Sequence, residues 1–293
     1  AVNTHKAFGG CTAGDVIQLP AGDFNLTILN PNNAETDEHA GDLDITSDMT
    51  LLGAGPSSTR IQASGKAFGD RIFHIKSGQV MFQGMRISGG FVSNSYGGGV
   101  LNDSGNLTLK SVTLDGNEVD ITQGGAGGGV ANRANGSLNI DYSTISTNKA
   151  YAGGGIYNEG QLTVNHSAIY RNSAGGSGGG LDTRKIEGGT ANASILNTTI
   201  ALNSATLSGG GISSASILSI QYSTLADNSG SGLSIFSDSP TIQSTIFARN
   251  HTPNCYQAPQ SEINVNSLGY NLIDLSNPGE CSFDGPGDMV NKD

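Results

Sequence analysis

The sequence predicts an all-β protein, a single-domain right-handed parallel β-helix. First, the motif Gly-Gly-Gly-Ile-Tyr-Asn at residues 153–158 recurs as variants that begin at Gly97, Gly127, Gly178 and Gly209. Second, apolar and polar residues alternate after each copy. Third, no stretch has helical periodicity. Self-similarity with a period of roughly 20–50 residues indicates a stack of repeated units.

Each copy contains at least two short strands. Ile156-Tyr157-Asn158 and Leu162-Thr163-Val164 alternate apolar with polar residues, which is the period of a strand. The preceding glycines permit positive φ and close backbone approach, so they indicate a corner. A unit of about 25 residues without a helix is one turn of a coil, and consecutive coils pair equivalent strands in parallel.

Alignment of the copies predicts three inward-facing aliphatic walls. The first wall contains Val100, Val130, Ile156, Leu181, Ile212 and Leu233. The second contains Leu107 and Leu109, Leu138 and Ile140, Leu162 and Val164, Ala193 and Ile195, and Leu218 and Ile220. The third contains Leu114, Ile145, Ile169, Ile200, Leu225 and Ile246.

Asparagines align in two further columns. Buried amides are costly unless they are hydrogen-bonded, and a spacing of about 4.8 Å between coils lets stacked asparagines bond one another. We therefore predict structural ladders without a catalytic role. The first column contains Asn102, Asn132 and Asn158, then Thr183 and Ser214, and the second contains Asn117, Asn148, Asn172, Asn203, Asn228 and Asn250.

The chain is predicted to form one domain over residues 1–293. Residues 1–14 form a capping segment, residues 15–250 form the coils with a polar excursion at 29–41, and residues 251–293 form an irregular segment that closes the stack. Cys255 and Cys281 both lie in the closing segment, which predicts a disulfide and an oxidising compartment. Cys11 would remain unpaired. The alternative is three reduced thiols in a cytosolic protein.

Composition excludes several classes of partner. The net charge of −11 disfavours nucleic acids and anionic membranes, because both require a basic surface. No hydrophobic run reaches the roughly 20 residues of a membrane span, so we expect no membrane insertion. No signal peptide is visible, which favours a mature or trimmed chain.

The repeat resembles those of secreted bacterial β-helix proteins. The unit Gly-Gly-Gly-Ile-Tyr-Asn, then Leu-Thr-Val and Ser-Ala-Ile-Tyr-Arg-Asn, is similar to repeats of polymorphic outer-membrane proteins and of surface proteins with interchangeable cell-wall anchors. The opening segment 15–22 and the tail 254–281 are similar to theirs. This resemblance implies a pectate-lyase-like solenoid and an extracellular or cell-surface location. Its members are described mainly as surface-exposed or adhesive, and no sorting signal is present here.

Outward positions on two columns give a candidate ligand groove. Asp103, Arg133, Glu159 and Arg184 alternate in charge on successive coils, which predicts either a solvent-exposed charge ladder or part of a polysaccharide groove. In the second hypothesis Tyr157 stacks on a sugar ring and charged groups bond hydroxyls. The groove contains Tyr157, Glu159, Asp182, Arg184, Lys185, Arg133 and Asp103.

This groove suggests two reactions. The arrangement resembles that of β-helix polysaccharide lyases, in which a cation, often Ca²⁺, neutralises a uronate and Lys or Arg abstracts a proton. Here Arg133, Arg184 or Lys185 would be the base, provided that its pKa is lowered. A hydrolase would instead need paired carboxylates, for which Glu159 and Asp182 on adjacent coils are candidates.

Other candidate residues are scattered. His74 and Arg71 either form a functional site or are ordinary surface or hydrogen-bonded residues beside a strand. The segments 42–44 and 115–120 carry hard oxygen ligands that suit Ca²⁺, although neither has the spacing of a known calcium loop. We predict no cofactor, with Ca²⁺ as the alternative.

The sequence favours a secreted or cell-surface protein with a structural or adhesive role. It would act as an adhesin that binds carbohydrate or another surface ligand through its flat faces. A lyase or hydrolase acting on an acidic polysaccharide is the alternative, so enzymatic status is open. A third hypothesis is end-to-end assembly into a homo-oligomeric fibre through unpaired strand edges.

Overall fold

The chain folds as an all-β parallel solenoid. The computed structural model describes residues 14–29, 41–122, 124–251, 253–258, 263–274 and 281–290. Residues 1–13 of the predicted capping segment, with Cys11, and residues 30–40 of the predicted excursion lie outside these residues. Within them the only helix is the 3₁₀ turn Gly65–Ala67. No helix in the described ranges has the length and apolarity needed to cross a bilayer.

The strands form three sheets along the coil axis. The nine-stranded sheet contains Leu43–Ile45, Phe73–Ile75, Val100–Asn102, Val130–Asn132, Ile156–Asn158, Leu181–Arg184, Ile212–Ala215, Leu233–Ser237 and Cys255–Gln257. The five-stranded sheet contains Phe91–Val92, Glu118–Val119, Lys149–Ala150, Ser173–Ala174 and Ser204–Ala205.

The nineteen-stranded sheet has two rows that meet at a corner, because Gln79–Ser88 and Asn106–Asp115 run through that corner. The second-strand row continues with Ser137–Asp141, Gln161–Asn165, Asn192–Leu196, Ile217–Gln221, Thr241–Gln243 and Asn266–Gly269. The third-strand row continues with Thr144–Ser146, Ala168–Tyr170, Thr199–Ala201, Thr224–Ala226, Ile246–Ala248, Leu272–Ile273 and Met289–Val290. The opening strands are Asp15–Gln18, Gly22–Asn25, Met49–Leu52 and Thr59–Gln62.

The predicted walls form the core, with one exception. Ile156 pairs in register with Val130 and Leu181, and all three are fully buried. In the third wall, Leu225 pairs with Phe247, so Phe247 points inward and Ile246 is exposed. The prediction for Ile246 was wrong because alternation gives the faces of a strand only when its first residue is known.

The long asparagine column forms a continuous hydrogen-bonded ladder. Asn172 Nδ2 donates to Asn203 Oδ1 at 3.0 Å and to the Ile145 carbonyl at 2.9 Å. Asn172 Oδ1 accepts from both the backbone N–H and the Nδ2 of Asn148, each at 3.0 Å. The pattern runs from Asn117 to Asn250. Since each amide uses both its donor and acceptor atoms, burial leaves these groups satisfied.

The corners require glycine because of their backbone conformation and because neighbouring backbone leaves no room for a Cβ atom. Gly153 has φ +60°, and a Cβ on Gly154 would lie 2.5 Å from the Ser173 carbonyl oxygen. Since that oxygen belongs to the backbone of the strand Ser173–Ala174 and cannot move aside, only glycine fits.

The coil continues beyond Asn250, where an irregular segment was predicted. Cys255–Gln257 pairs with Leu233–Ile235, and Asn266–Gly269 pairs with the strand Thr241–Gln243. The predicted disulfide joins Cys255 to Cys281 across 26 residues. Both half-cystines are buried, so this bond cross-links the C-terminal end of the core.

Candidate functional site

A strip of chain covers much of the outer face of the nine-stranded sheet. Residues just before the glycine corners fold over this face and form isolated parallel bridges, such as Tyr96 with Ala126 and Ala126 with Ala152. They enclose an apolar cluster outside the main core that contains Leu101, Ala126, Ala131, Ala152 and Tyr157, with Tyr96 at its margin. Outward orientation on this sheet therefore does not mean exposure to water.

The predicted groove is largely closed for this reason. Tyr157, Glu159 and Asp182 are 5%, 4% and 1% exposed. Tyr157 cannot stack on a sugar, because its ring faces Tyr96 at 5.7 Å between centroids. The prediction of an open groove was wrong at these three residues. The predicted charge ladder is solvent-exposed only in part, because Glu159 is buried whereas the side chains of Arg133 and Arg184 are 29% and 42% exposed. Asp103 is exposed on the same face.

Tyr157, Glu159 and Arg133 form one internally bonded group. The Tyr157 hydroxyl donates to Glu159 Oε1 at 2.8 Å, and Arg133 Nη1 lies 3.2 Å from Glu159 Oε2. The Arg133 guanidinium also lies 3.9 Å from the centre of the Tyr96 ring. Burial and the neighbouring Glu159 carboxylate raise the pKa of Tyr157, so this hydroxyl stays protonated.

Asp182 and Arg184 form a second group on the next coil. Arg184 Nε donates to Asp182 Oδ1 at 2.9 Å, and its Nη2 donates to Oδ2 at 2.5 Å, a bidentate pair. Burial raises the pKa of Asp182. Burial lowers the pKa of Arg184, but the bond and charge of Asp182 outweigh it and raise the value.

Neither Arg133 nor Arg184 fits the predicted role of the base in a lyase reaction. Burial also lowers the pKa of Arg133, but hydrogen bonding to Tyr96 and the charge of Glu159 reverse the effect and raise it. Proton abstraction requires a lowered pKa, so Arg133 and Arg184 are unsuited to it. Lys185 is partly exposed and lies 3.0 Å from Asp238 Oδ2.

A different cluster lies at the N-terminal end of the same face. Asp44 and His74 are register partners on adjacent strands, and His74 Nδ1 lies 3.4 Å from Asp44 Oδ1. Lys76 Nζ donates to Asp44 Oδ2 at 2.7 Å. Arg71 Nη1 donates to Asp42 Oδ2 at 3.0 Å. The structure thus joins two segments that the sequence analysis treated separately.

The pKa values of the two carboxyl groups in this cluster are shifted in opposite directions. Burial is the largest influence on Asp42 and raises its pKa to about 6, against a lowering by Arg71. Burial also acts to raise the pKa of Asp44, but hydrogen bonds from His74 and Lys76 outweigh it and lower the value. A carboxyl group with a pKa of about 6 can take up and release a proton near neutral pH, and beside a carboxylate that stays ionised this arrangement suits proton transfer.

Asp42, Asp44 and His74 also offer ligand atoms that all lie within 4.8 Å of one another. Oxygen and imidazole ligands suit several divalent cations. Lys76 and Arg71 already neutralise these carboxylates, which competes with a cation. In the other predicted segment, Asp115 bonds Arg86 and Asn117 belongs to the ladder. Calcium binding stays a prediction.

The second-strand row presents a flat, uncharged outer face over four consecutive coils, from Gln161–Asn165 to Thr241–Gln243. We call it the second-strand face. Its nearest ionisable neighbour in the row is Asp141, one coil earlier. The outward side chains of the face are Gln161, Thr163, Asn165, Asn192, Ser194, Leu196, Ile217, Ser219, Gln221, Thr241 and Gln243.

Comparison with known proteins gives a distant structural match. No protein-family model matches the chain, and no curated protein sequence matches it. Among solved structures, the chain is similar to the A-module of the mannuronan C-5 epimerase AlgE6 from Azotobacter vinelandii, with a TM-score of 0.43 and 15% identity. The match covers 94% of this chain and 89% of that one. A similarity at this level carries no argument about activity.

Proposed function

We propose that this chain is an extracellular β-helix that binds an uncharged polysaccharide through the second-strand face, as part of an adhesive or structural role. The observation that carries the proposal is the absence of ionisable side chains on this face over four coils of a chain with net charge −11. Hydroxyl and amide groups both donate and accept hydrogen bonds, as sugar hydroxyls do.

The geometry of the face supports an extended ligand. Equivalent side chains of a parallel sheet repeat about every 4.8 Å along the coil axis, so in the central column a polymer meets one hydroxyl on each coil. These hydroxyls belong to Thr163, Ser194, Ser219 and Thr241. Each contact is weak, but many contacts along one chain add up. The extracellular location is supported by the disulfide, since such bonds persist in oxidising compartments.

Binding to insoluble polysaccharides tests this function. We expect the wild type to sediment with at least one uncharged polymer among cellulose, chitin, starch and β-glucan, and to do so at high salt. Thr163→Arg places a bulky cation in the central column of the face, on its first coil, and should weaken binding at least about tenfold. Thr199→Arg is the matched control, because Thr199 is exposed on the third-strand row. Equal effects of the two variants, or no binding by the wild type, would refute the proposal.

A second candidate function is acid–base cleavage of a polysaccharide at Asp42 and Asp44. The observation that favours it is that carboxylate oxygens of these two residues lie within 4.8 Å of each other, with the pKa of Asp42 raised and that of Asp44 lowered. If it is correct, the protein releases new reducing ends or unsaturated products from a polysaccharide panel. Asp42→Asn and Asp44→Asn should each abolish release, whereas Asp103→Asn, an exposed acid on the same sheet, should not. Silence of the wild type across the panel would sink this candidate.

A further inference from the structure

The corner between the second- and third-strand rows holds a residue with positive φ in each successive coil. In Tyr142, Tyr222 and Tyr270 the φ values are 49°, 51° and 60°. The backbone N–H of Tyr222 donates to the Gln243 carbonyl on the next coil, so this conformation belongs to the regular pairing. The corner series is Ser111, Tyr142, His166, Asn197, Tyr222, Ser244 and Tyr270.

Tyrosine is a poor choice for this conformation. Glycine and asparagine adopt the left-handed region most readily, and bulky residues are uncommon there. The other corner of the same coils also has positive φ, yet it carries Thr147, Arg171, Leu202, Asp227 and Arg249, with no tyrosine. The fold therefore requires the backbone conformation but not the aromatic rings.

The rings at this corner face solvent. Tyr142, Tyr222 and Tyr270 are 58%, 55% and 67% exposed. The Tyr142 ring stacks on His166 with centroids 4.7 Å apart and planes 4° from parallel. Since equivalent residues are about 4.8 Å apart, Tyr222 and Tyr270 are separated by two coils, or about 10 Å, with the small Ser244 between them.

The surroundings of the rings indicate the charge of the ligand. The corner borders the second-strand face, where Asn165, Gln221 and Gln243 are the neighbouring outward side chains. Apart from tyrosine, ionisable side chains are present only near Tyr142 in this series, where His166 Nδ1 lies 3.5 Å from Asp141 Oδ1. From Asn197 to Tyr270 the series contains only asparagine, tyrosine and serine, with no Asp, Glu, Lys, Arg or His.

We propose that Tyr142, Tyr222 and Tyr270, the tyrosine edge, form the stacking element of an uncharged polysaccharide-binding site. This inference rests on the proposed function and adds where the sugar rings bind. Aromatic rings contact the apolar faces of pyranose rings, while the amides of Gln221 and Gln243 bond the hydroxyls at their rims. An anionic polymer is disfavoured at Tyr222 and Tyr270, because the corner from Asn197 to Tyr270 offers it no basic side chain.

Exchange of Tyr222 for asparagine separates fold from binding. Asn suits positive φ better than Tyr, so Tyr222→Asn should leave the midpoint of urea unfolding unchanged or higher. Binding to the polysaccharide retained by the wild type should weaken at least about tenfold. Tyr222→Phe keeps the ring and should bind like the wild type. Leu202→Asn is the control, since Leu202 is an exposed residue of positive φ on the other corner.

The outcomes distinguish the two proposals. If Thr163→Arg abolishes binding but Tyr222→Asn binds like the wild type, the tyrosine edge is refuted and the proposed function survives. If the wild type binds no polysaccharide, both fail. If sedimentation velocity shows a wild-type dimer that Tyr222→Asn dissociates, the edge is a contact between two copies of this chain, which also overturns the inference.

Discussion

Replacement of Asn172 by alanine tests the claim that the amide ladder holds the coils together. The Asn172 side chain is buried and takes part in four hydrogen bonds, two as donor and two as acceptor. A typical intramolecular hydrogen bond contributes about 0.5–1.5 kcal/mol, so their loss sums to about 4 kcal/mol. One of these four bonds comes from the buried backbone N–H of Asn148, which the substitution leaves without its acceptor in the ladder.

Equilibrium unfolding in urea, followed by far-ultraviolet circular dichroism, measures this cost. Thr163→Ala on the same coil is the control, because Thr163 is exposed and its loss should cost under about 1 kcal/mol. If Asn172→Ala destabilised the protein no more than this control does, the ladder would contribute nothing to stability, and the claim that it holds the coils together would be refuted.

Asn172→Asp tests the direction in which stability changes with pH. The introduced carboxyl group would be buried beside two acceptor oxygens, so its folded pKa should lie above the unfolded value of about 3.9. A raised folded pKa lowers stability as pH rises above the unfolded value. The variant should therefore be destabilised more at about pH 7 than at about pH 4, and the opposite trend would contradict burial of this position.

Three further predictions concern the ionic groups and the disulfide. The pKa of Asp42 in the folded protein, about 6, lies above the ordinary value of 3.8, so the free energy of unfolding should fall as pH rises between these values. Asp42→Asn should remove this fall, as measured by urea unfolding at several pH values. Arg184→Ala leaves the buried Asp182 carboxylate without its bidentate partner and should cost about 3 kcal/mol, of which a second change, Asp182→Asn, should recover part. A cost below about 1 kcal/mol would contradict this pairing. Reduction of Cys255–Cys281 opens a loop of 26 residues and should cost about 3.5 kcal/mol in the same assay, and an unchanged midpoint would contradict a stabilising bond.

The inner columns were predictable from sequence because alternation and copy spacing together define register. Once Ile156 is aligned with Val130, the position of every inward residue on those strands follows. The same alignment predicted the order of the ladder amides. It failed at Ile246, because the residue that pairs with Leu225 and faces the core is Phe247.

The outer face was less predictable because alternation gives the direction of a side chain but not what covers it. Tyr157 points outward as expected, yet Ala152 and Tyr96 enclose it. Aligning Asp44 with His74 would have brought the N-terminal cluster together, since they occupy equivalent positions on adjacent strands. The tyrosine edge was missed because a residue of positive φ interrupts the alternation.

Because each copy meets only its immediate neighbours, the length of this molecule is modular. Removal of residues 153–177 would bring the Gly178 corner onto Gly128 and let Asn148 donate to Asn203, as Asn172 does now. Loss of a single residue inside a strand would instead turn the following side chains towards the wrong side. Recombination between copies can therefore shorten or extend the solenoid by whole coils, and a coil lost or gained between Tyr142 and Tyr222 changes their separation by one inter-strand spacing of about 4.8 Å.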